Sequence, residues 1–253
     1  RFGKVFQQTY TRFLDLQKAE AQAREAQIEA SLEKVRGKAM AMHNSIDLTD
    51  AAGMVFTELN ILGIKPIRSG FVLLSKDTRI AKLYPATSFD NKNTVSFTGE
   101  FEFTGHPVYE KQYQSWLDKE NYFPVLEGDL LKSYYKILAK GLSVPYKNFP
   151  TKNKKQFGTF LPFSGGFLFT WSDDPFTENE ISILDRFKSI LDLTIRRYVD
   201  LKNAEEQSRE SQIEASLERV RSKAMAMQNS NDLGLAVATI FEELEKLNLE
   251  TLR

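Results

Sequence analysis

Residues 157–191 read FGTFLPFSGGFLFTWSDDPFTENEISILDRFKSIL. Two aromatic-rich strand runs, 156–163 and 166–171, are separated only by Ser164-Gly165, the composition of a tight hairpin. Asp173-Asp174-Pro175 then turns the chain. Thr177 and Glu180 make the T-x-x-E of a capping box, with Phe176 and Ile181 placed to close as a hydrophobic staple. The helix that starts there carries Ile181, Leu184, Phe187, Ile190, Leu191, Ile195, Tyr198 and Leu201 on one face, and nothing breaks it before Asn229. A helix of about 50 residues is expected, roughly 75 Å long at 1.5 Å per residue. The closing helix of a folded domain and a long connector are thus one element.

Working outward, Leu48, Ala51, Ala52, Val55, Phe56, Leu59 and Leu62 form an apolar helical stripe that Gly63 ends as a C-cap. Gly70-Phe71-Val72-Leu73-Leu74 and the run 80–84 flank Ser75-Lys76-Asp77-Thr78, a second hairpin. Val95, Phe97, Gly99, Phe101 and Phe103 alternate with polar residues, the period of a half-buried strand. His106-Pro107 opens a helix to about Glu120, a short strand is expected over 122–126, and Asp129 caps a helix to about Ala139. This order gives an α+β fold: an antiparallel sheet with the first and last helices on one face and the middle helices on the other.

The opening stripe, GFVLLSKDTRIAKLYPA at 70–86 and the stretch at 157–191 together resemble a GAF domain, over roughly residues 46–200. The resemblance implies a sensory or regulatory module of bacterial signalling proteins, with a ligand cavity between the sheet and its covering helices. On that basis Phe103, Tyr113, Trp116, Phe160 and Trp171 are the expected ligand-contacting residues, although core packing alone also demands such aromatics. The N-K-F-D-E pattern of cyclic-nucleotide GAF domains is missing, and no cysteine is present to hold a bilin. Cyclic GMP and phytochrome-type chromophores are therefore not implied, and no cofactor is expected.

The chain also says one passage twice. IEASLEKVRGKAMAM at 28–42 returns as IEASLERVRSKAMAM at 213–227, and at this offset of 185 residues about half of the positions from Arg1 to Arg68 match those from Arg186 to Arg253. A period this long is read as a tandem array of connector plus globular domain. The expected parts are a helical coiled-coil linker at 1–45 that ends a preceding unit, the GAF-like domain at 46–200, a second linker at 201–230, and the first helix of a following repeat at 231–253. The linkers resemble the signalling helices of bacterial sensor histidine kinases.

Ile28, Leu32, Val35, Ala39 and Met42 step by four and three, as do Ile213, Leu217, Val220, Ala224 and Met227: a coiled-coil dimer seam. Leu16, Ala19, Ala23, Ala26 and Ala30 keep the same spacing in another phase, and joining the phases needs a stutter. A parallel homodimer is expected, against the alternative of an amphipathic helix lying on its own domain. Breaks are expected at Asn44-Ser45 and Asn229-Ser230.

Composition excludes several classes of function. Lys plus Arg and Asp plus Glu are 34 each, so no net field recruits nucleic acid or an anionic membrane. With no cysteine there is no disulfide, thiolate nucleophile or Cys-ligated metal, and two histidines build no multi-His site. No apolar run reaches membrane-spanning length, so a cytoplasmic location is expected. Phosphate-binding glycine motifs are absent. Asp173-Asp174 reads as a turn rather than paired catalytic acids, His106 as a helix cap rather than a ligand contact, and Lys152, Lys154 and Lys155 as a solvated loop rather than a phosphate site.

The expectation is a non-enzymatic regulatory domain, part of a two-component histidine kinase. It would dimerise, contact neighbouring domains of its own chain, take a small-molecule ligand of unspecified kind and relay a conformational change through its helices. The alternative is a GAF fold without ligand that serves as a dimerising spacer.

Overall fold

The computed structural model describes residues 2–41, 45–88, 94–96, 98–142, 155–228 and 232–247. Contacts divide the chain into two units, Arg1–Arg196 and Arg197–Arg253.

In the first unit, helix α1 (Phe2–Met40) is followed by α2 (Ser45–Ile61), which ends as its sequence predicts: Gly63 takes φ +77° and Ile64 N donates back to Leu59 O at 2.9 Å. Seven strands follow: β1 (Arg68–Leu74), β2 (Ile80–Ser88), β3 (Thr94–Ser96), β4 (Gly99–Glu102), β5 (Val125–Glu127), β6 (Lys155–Phe163) and β7 (Gly166–Ser172). They form one antiparallel sheet in the order β3-β2-β1-β7-β6-β5, with β4 also on β2. Between them lie α3 (Pro107–Asp118) and α4 (Gly128–Gly141), and α5 (Glu178–Met225) leaves the last strand. The α+β class and the antiparallel sheet with helices on both faces are as expected.

Three local readings change. The strand expected over 95–103 is two strands, β3 and β4, paired to different stretches of β2; Phe97 lies outside the described residues. The strand expected at 122–126 shrinks to β5, with Tyr122 making only an isolated bridge to Phe160. Helix α4 begins at Gly128, with Glu127 at the N-cap position but making no side-chain cap hydrogen bond, so Asp129 lies inside the first turn rather than at the cap. The breaks expected at Asn44-Ser45 and Asn229-Ser230, together with Lys152 and Lys154, fall wholly or partly outside the described residues.

The sheet separates two cores. On one face Val72, Leu83, Phe103, Phe160, Phe167 and Phe169 meet α3 and α4 through Tyr109, Tyr134 and Leu138, all buried. No residue of α2 or α5 belongs to that cluster. Alternation places Phe71, Tyr84, Leu161 and Leu168 on the opposite face, where α2 packs on β1 and β2. The stripe Leu184, Phe187, Leu191 and Ile195 of α5 is buried at 0–2% exposure, and Asp192 Oδ1 accepts from the Ser164 N–H of the β6–β7 turn at 3.1 Å.

The second unit holds residues 197–225 of α5 and helix α6 (Leu233–Lys246). Arg219 and Lys246 both bind Glu243, at 2.6 and 2.7 Å. Among the described residues no helix is long and apolar enough to cross a membrane.

Candidate functional site

A small cavity of about 10 Å³ lies between the sheet and helices α3 and α4. That is room for about one water molecule. The aromatic walls are interlocked: Phe101 and Phe103 stand 5.0 and 5.2 Å from the Tyr109 ring, and Phe160 is 5.3 Å from Phe167 in an edge contact.

Two polar side chains break this apolar lining. Arg68 sits at the start of β1, on the same strand face as Val72, and is 4% exposed. Its guanidinium carbon lies 5.1 Å from the Tyr135 ring and 5.8 Å from Phe169, close enough for cation–π attraction in a desolvated setting. Gln112, on the inner face of α3, is 1% exposed, and its amide interacts with the buried Tyr134 side chain, favouring the charged form of that phenol against the effect of burial.

Tyrosines surround the arginine. Burial pushes the Tyr135 phenol up to about 12, and raises Tyr109 and Tyr134 as well, while the positive charge of Arg68 pulls all three the other way. Tyr135 donates to Gln156 Oε1 at 2.6 Å, and Tyr109 donates to the Tyr134 carbonyl at 3.0 Å. Neutral phenols thus fix the wall around Arg68, and the negative charge of Asp173 also reaches Tyr135, raising its pKa.

Helix α3 holds its place through His106. The imidazole Nδ1 accepts from Val108 N at 3.2 Å, Nε2 lies 3.1 Å from Ser133 Oγ, and burial lowers the ring's pKa. His106 is the helix cap, and it does not line the cavity.

Of the five residues named from the resemblance, Phe103 and Phe160 line the cavity. Tyr113, Trp116 and Trp171 are buried in the surrounding core but off its lining. Tyr113 donates to Lys76 O at 3.0 Å, Trp116 Nε1 donates to Phe163 O at 3.0 Å, and Trp171 packs edge-on to Tyr134. Sequence reasoning missed Arg68 and Gln112. The signal for Arg68 was available, a lone charge two and four residues ahead of the inward-facing Gly70 and Val72. Asp173-Asp174 is a turn, closed by Ser172 Oγ donating to Asp174 O at 2.6 Å. Among the described residues no group of three or more His, Cys, Asp or Glu could hold a metal.

The residues expected at a dimer seam divide. Ile28, Leu32 and Val35 are buried within one protomer, at 5, 3 and 0% exposure, where α1 packs on α2. For these three the alternative reading, a helix lying on its own domain, describes what is seen. Lys34–Glu58 and Lys38–Asp50 ion pairs join the same two helices, and Arg186 of α5 binds Glu25 and Glu29 of α1. The side chains of Ala39 and Met42 lie outside the description. In the second copy Ile213 and Val220 are half-buried, whereas Leu217, Ala224 and Met227 are exposed. The other phase, Leu16, Ala19, Ala23, Ala26 and Ala30, is exposed throughout.

No family model and no curated protein matches the chain. A solved structure described as the A. aeolicus nlh2 GAF domain in an inactive state is similar at 10% sequence identity and a TM-score of 0.38, covering 68% of this chain and 98% of that one.

Proposed function

We propose that residues 46–200 are a sensory or regulatory domain of the GAF kind, in a bacterial signalling protein of the histidine-kinase class. It would take a small-molecule ligand between the sheet and helices α3 and α4 and pass the effect to helix α5. One observation carries this reading: the Arg68–Gln112 cavity lies against the sheet whose last strand, β7, leads directly into the 48-residue helix α5. A group entering beside Arg68 must push apart β1, β7 and the aromatic cluster, since the cavity admits about one water as it stands. Because close-packed cores switch between discrete arrangements rather than deforming smoothly, displacement of β7 would re-seat α5.

The parallel homodimer belongs to the same proposal, through the exposed phase Leu16, Ala19, Ala23, Ala26 and Ala30 rather than the buried one. Its test is Ala23→Leu with Ala26→Leu, which should deepen that seam and strengthen association in sedimentation; unchanged association removes the dimer from the proposal.

Ligand action is tested by thermal denaturation of the chain against a library of small carboxylates, phosphates and their neutral amides. A midpoint raised by a member of the library, and no longer raised in Leu138→Trp, which fills the cavity, supports the reading. A midpoint fixed across the whole library leaves the domain as a dimerising spacer.

A further inference from the structure

Helix α1 begins with a row of bare hydrophobic side chains. Phe2 is 94% exposed, Val5 60%, Phe6 74% and Tyr10 54%. A surface helix that presents such a row to water is missing the layer that should cover it. The internal repeat says what that layer is. Phe187, Ile190, Leu191 and Ile195 stand 185 residues further on in the aligned copy, and there the same row is buried at 0–8% exposure, with Asp192 bound to the β6–β7 turn of the sheet. The likeness extends to a local detail. Thr9 Oγ1 donates to Val5 O at 2.9 Å, and Thr194 Oγ1 donates to Ile190 O at 2.8 Å.

The other end of the chain repeats the observation independently. On α6, Leu233, Ile240 and Phe241 are 58, 39 and 66% exposed, while their counterparts Leu48, Val55 and Phe56 on α2 are 1, 0 and 4% exposed. The exposed rows are the two kinds of helix that are buried in the complete domain: a closing helix at 2–13 and an opening helix at 233–244.

We propose that residues 2–13 and 233–244 are seats for the β-sheets of further domains of this same architecture, joined in line with these helices as residues 46–185 are joined to Arg186. The first stretch of α1 is then a domain lid, and only the residues after it serve as connector. This holds whether or not the cavity takes a ligand.

The test attaches a second copy of residues 46–185 directly ahead of Arg1 of the full chain, so that α1 stands where α5 does. Amide hydrogen exchange of residues 2–13 should slow by about tenfold or more relative to the unextended chain. Exchange unchanged at 2–13, with the attached hairpin itself protected, overturns the proposal.

Should the attached copy fail to fold, a transplant decides. Residues 1–16 replace 186–201 in the otherwise unaltered chain, and the product should melt cooperatively within about 10 °C of the original. The same transplant carrying serine for Phe2, Phe6 and Tyr10 should not. A transplant that melts no better than its serine control overturns the proposal. So does concentration-dependent protection of 2–13 in the unextended chain that Phe6→Lys abolishes, since that assigns the face to a second copy.

Discussion

Arg219 Nη2 lies 2.6 Å from Glu243 Oε2, in the place that Lys34 and Glu58 occupy at 3.1 Å in the first copy of the repeat. Both carboxylates are sequestered, with side chains 5 and 6% exposed, and each cation stays largely in solvent. Ser31 and Ser216 are buried at the same point of their helices. The two copies of the repeated sequence thus share one contact: in each, a long helix is bound to the helix that follows it by one buried acid. A Lys-to-Arg exchange preserves the charge at that contact.

This pair makes the second unit acid-sensitive. Hydrogen bonds from Arg219, then Lys246 and Ser216, lower the folded pKa of Glu243 from 4.5 to about 2. A depressed carboxylate contributes stability that is present above its unfolded pKa and is lost as pH falls through the folded one. The docking of α6 should therefore weaken between about pH 4.5 and pH 2, read as amide exchange in residues 233–246. Glu243→Gln should exchange faster than the parent at pH 7 and show a flatter pH dependence; parallel profiles for the two would refute the assignment.

His106 sets a second pH dependence, at higher pH. Burial lowers its folded pKa below 6.5, so the folded state holds the ring neutral and the unfolded chain takes up the proton first. Stability is full above about pH 6.5 and is lost as pH falls below it. The melting temperature should drop as pH is lowered from 7 toward 5. His106→Asn, which keeps an N-cap acceptor without a titrating ring, should remove that part of the slope. A slope retained in the variant would place its origin elsewhere.

Most of the fold was legible because its punctuation is local. Thr177 and Glu180, Gly63, the Ser164-Gly165 turn and the stripe 48–62 each specify their own geometry without reference to the rest of the chain. The cavity was less so. Aromatics from three strands and two helices converge there, and nothing local says that Tyr109 and Phe101 reach the lining while Trp116 turns away to the Phe163 carbonyl. Heptad spacing alone left the seam open. Ile28, Leu32 and Val35 have heptad spacing, but a helix from the same chain supplies the partner face, and spacing alone does not distinguish the two partners.

Two glycines mark where the sheet tolerates no side chain. A Cβ on Gly70, at φ +156°, would lie 2.1 Å from the Tyr84 carbonyl oxygen, and one on Gly166 would lie 1.7 Å from that of Val72. Both obstacles are backbone of the adjacent strand, so relief requires moving β1 off β2 or β7. Gly70→Ala and Gly166→Ala should each cost more than about 3 kcal/mol in denaturant unfolding. Gly3→Ala, in open space on α1, should be neutral or slightly stabilising through helix propensity. Equal stability of Gly166→Ala and the parent would contradict the register given for β1 and β7.

The start of α5 rests on a reciprocal cap. Thr177 N donates to Glu180 Oε2 at 2.8 Å, the Thr177 hydroxyl donates to the same oxygen at 2.8 Å, and Glu180 N donates back to Thr177 Oγ1 at 3.3 Å. Glu178 and Glu180 also place negative charge in the first turn, where the helix dipole favours it. Thr177→Ala removes an acceptor and a donor together and should cost about 1 kcal/mol, with Thr177→Ser recovering most of it. For a unit of this size the melting point should fall by roughly 2–4 °C. Hydrogen exchange should locate the loss at residues 178–181, leaving the helix from Leu184 to Ile195 protected by its burial. If the whole of α5 instead loosened along its length, the cap rather than the packed face would be what holds the helix in place.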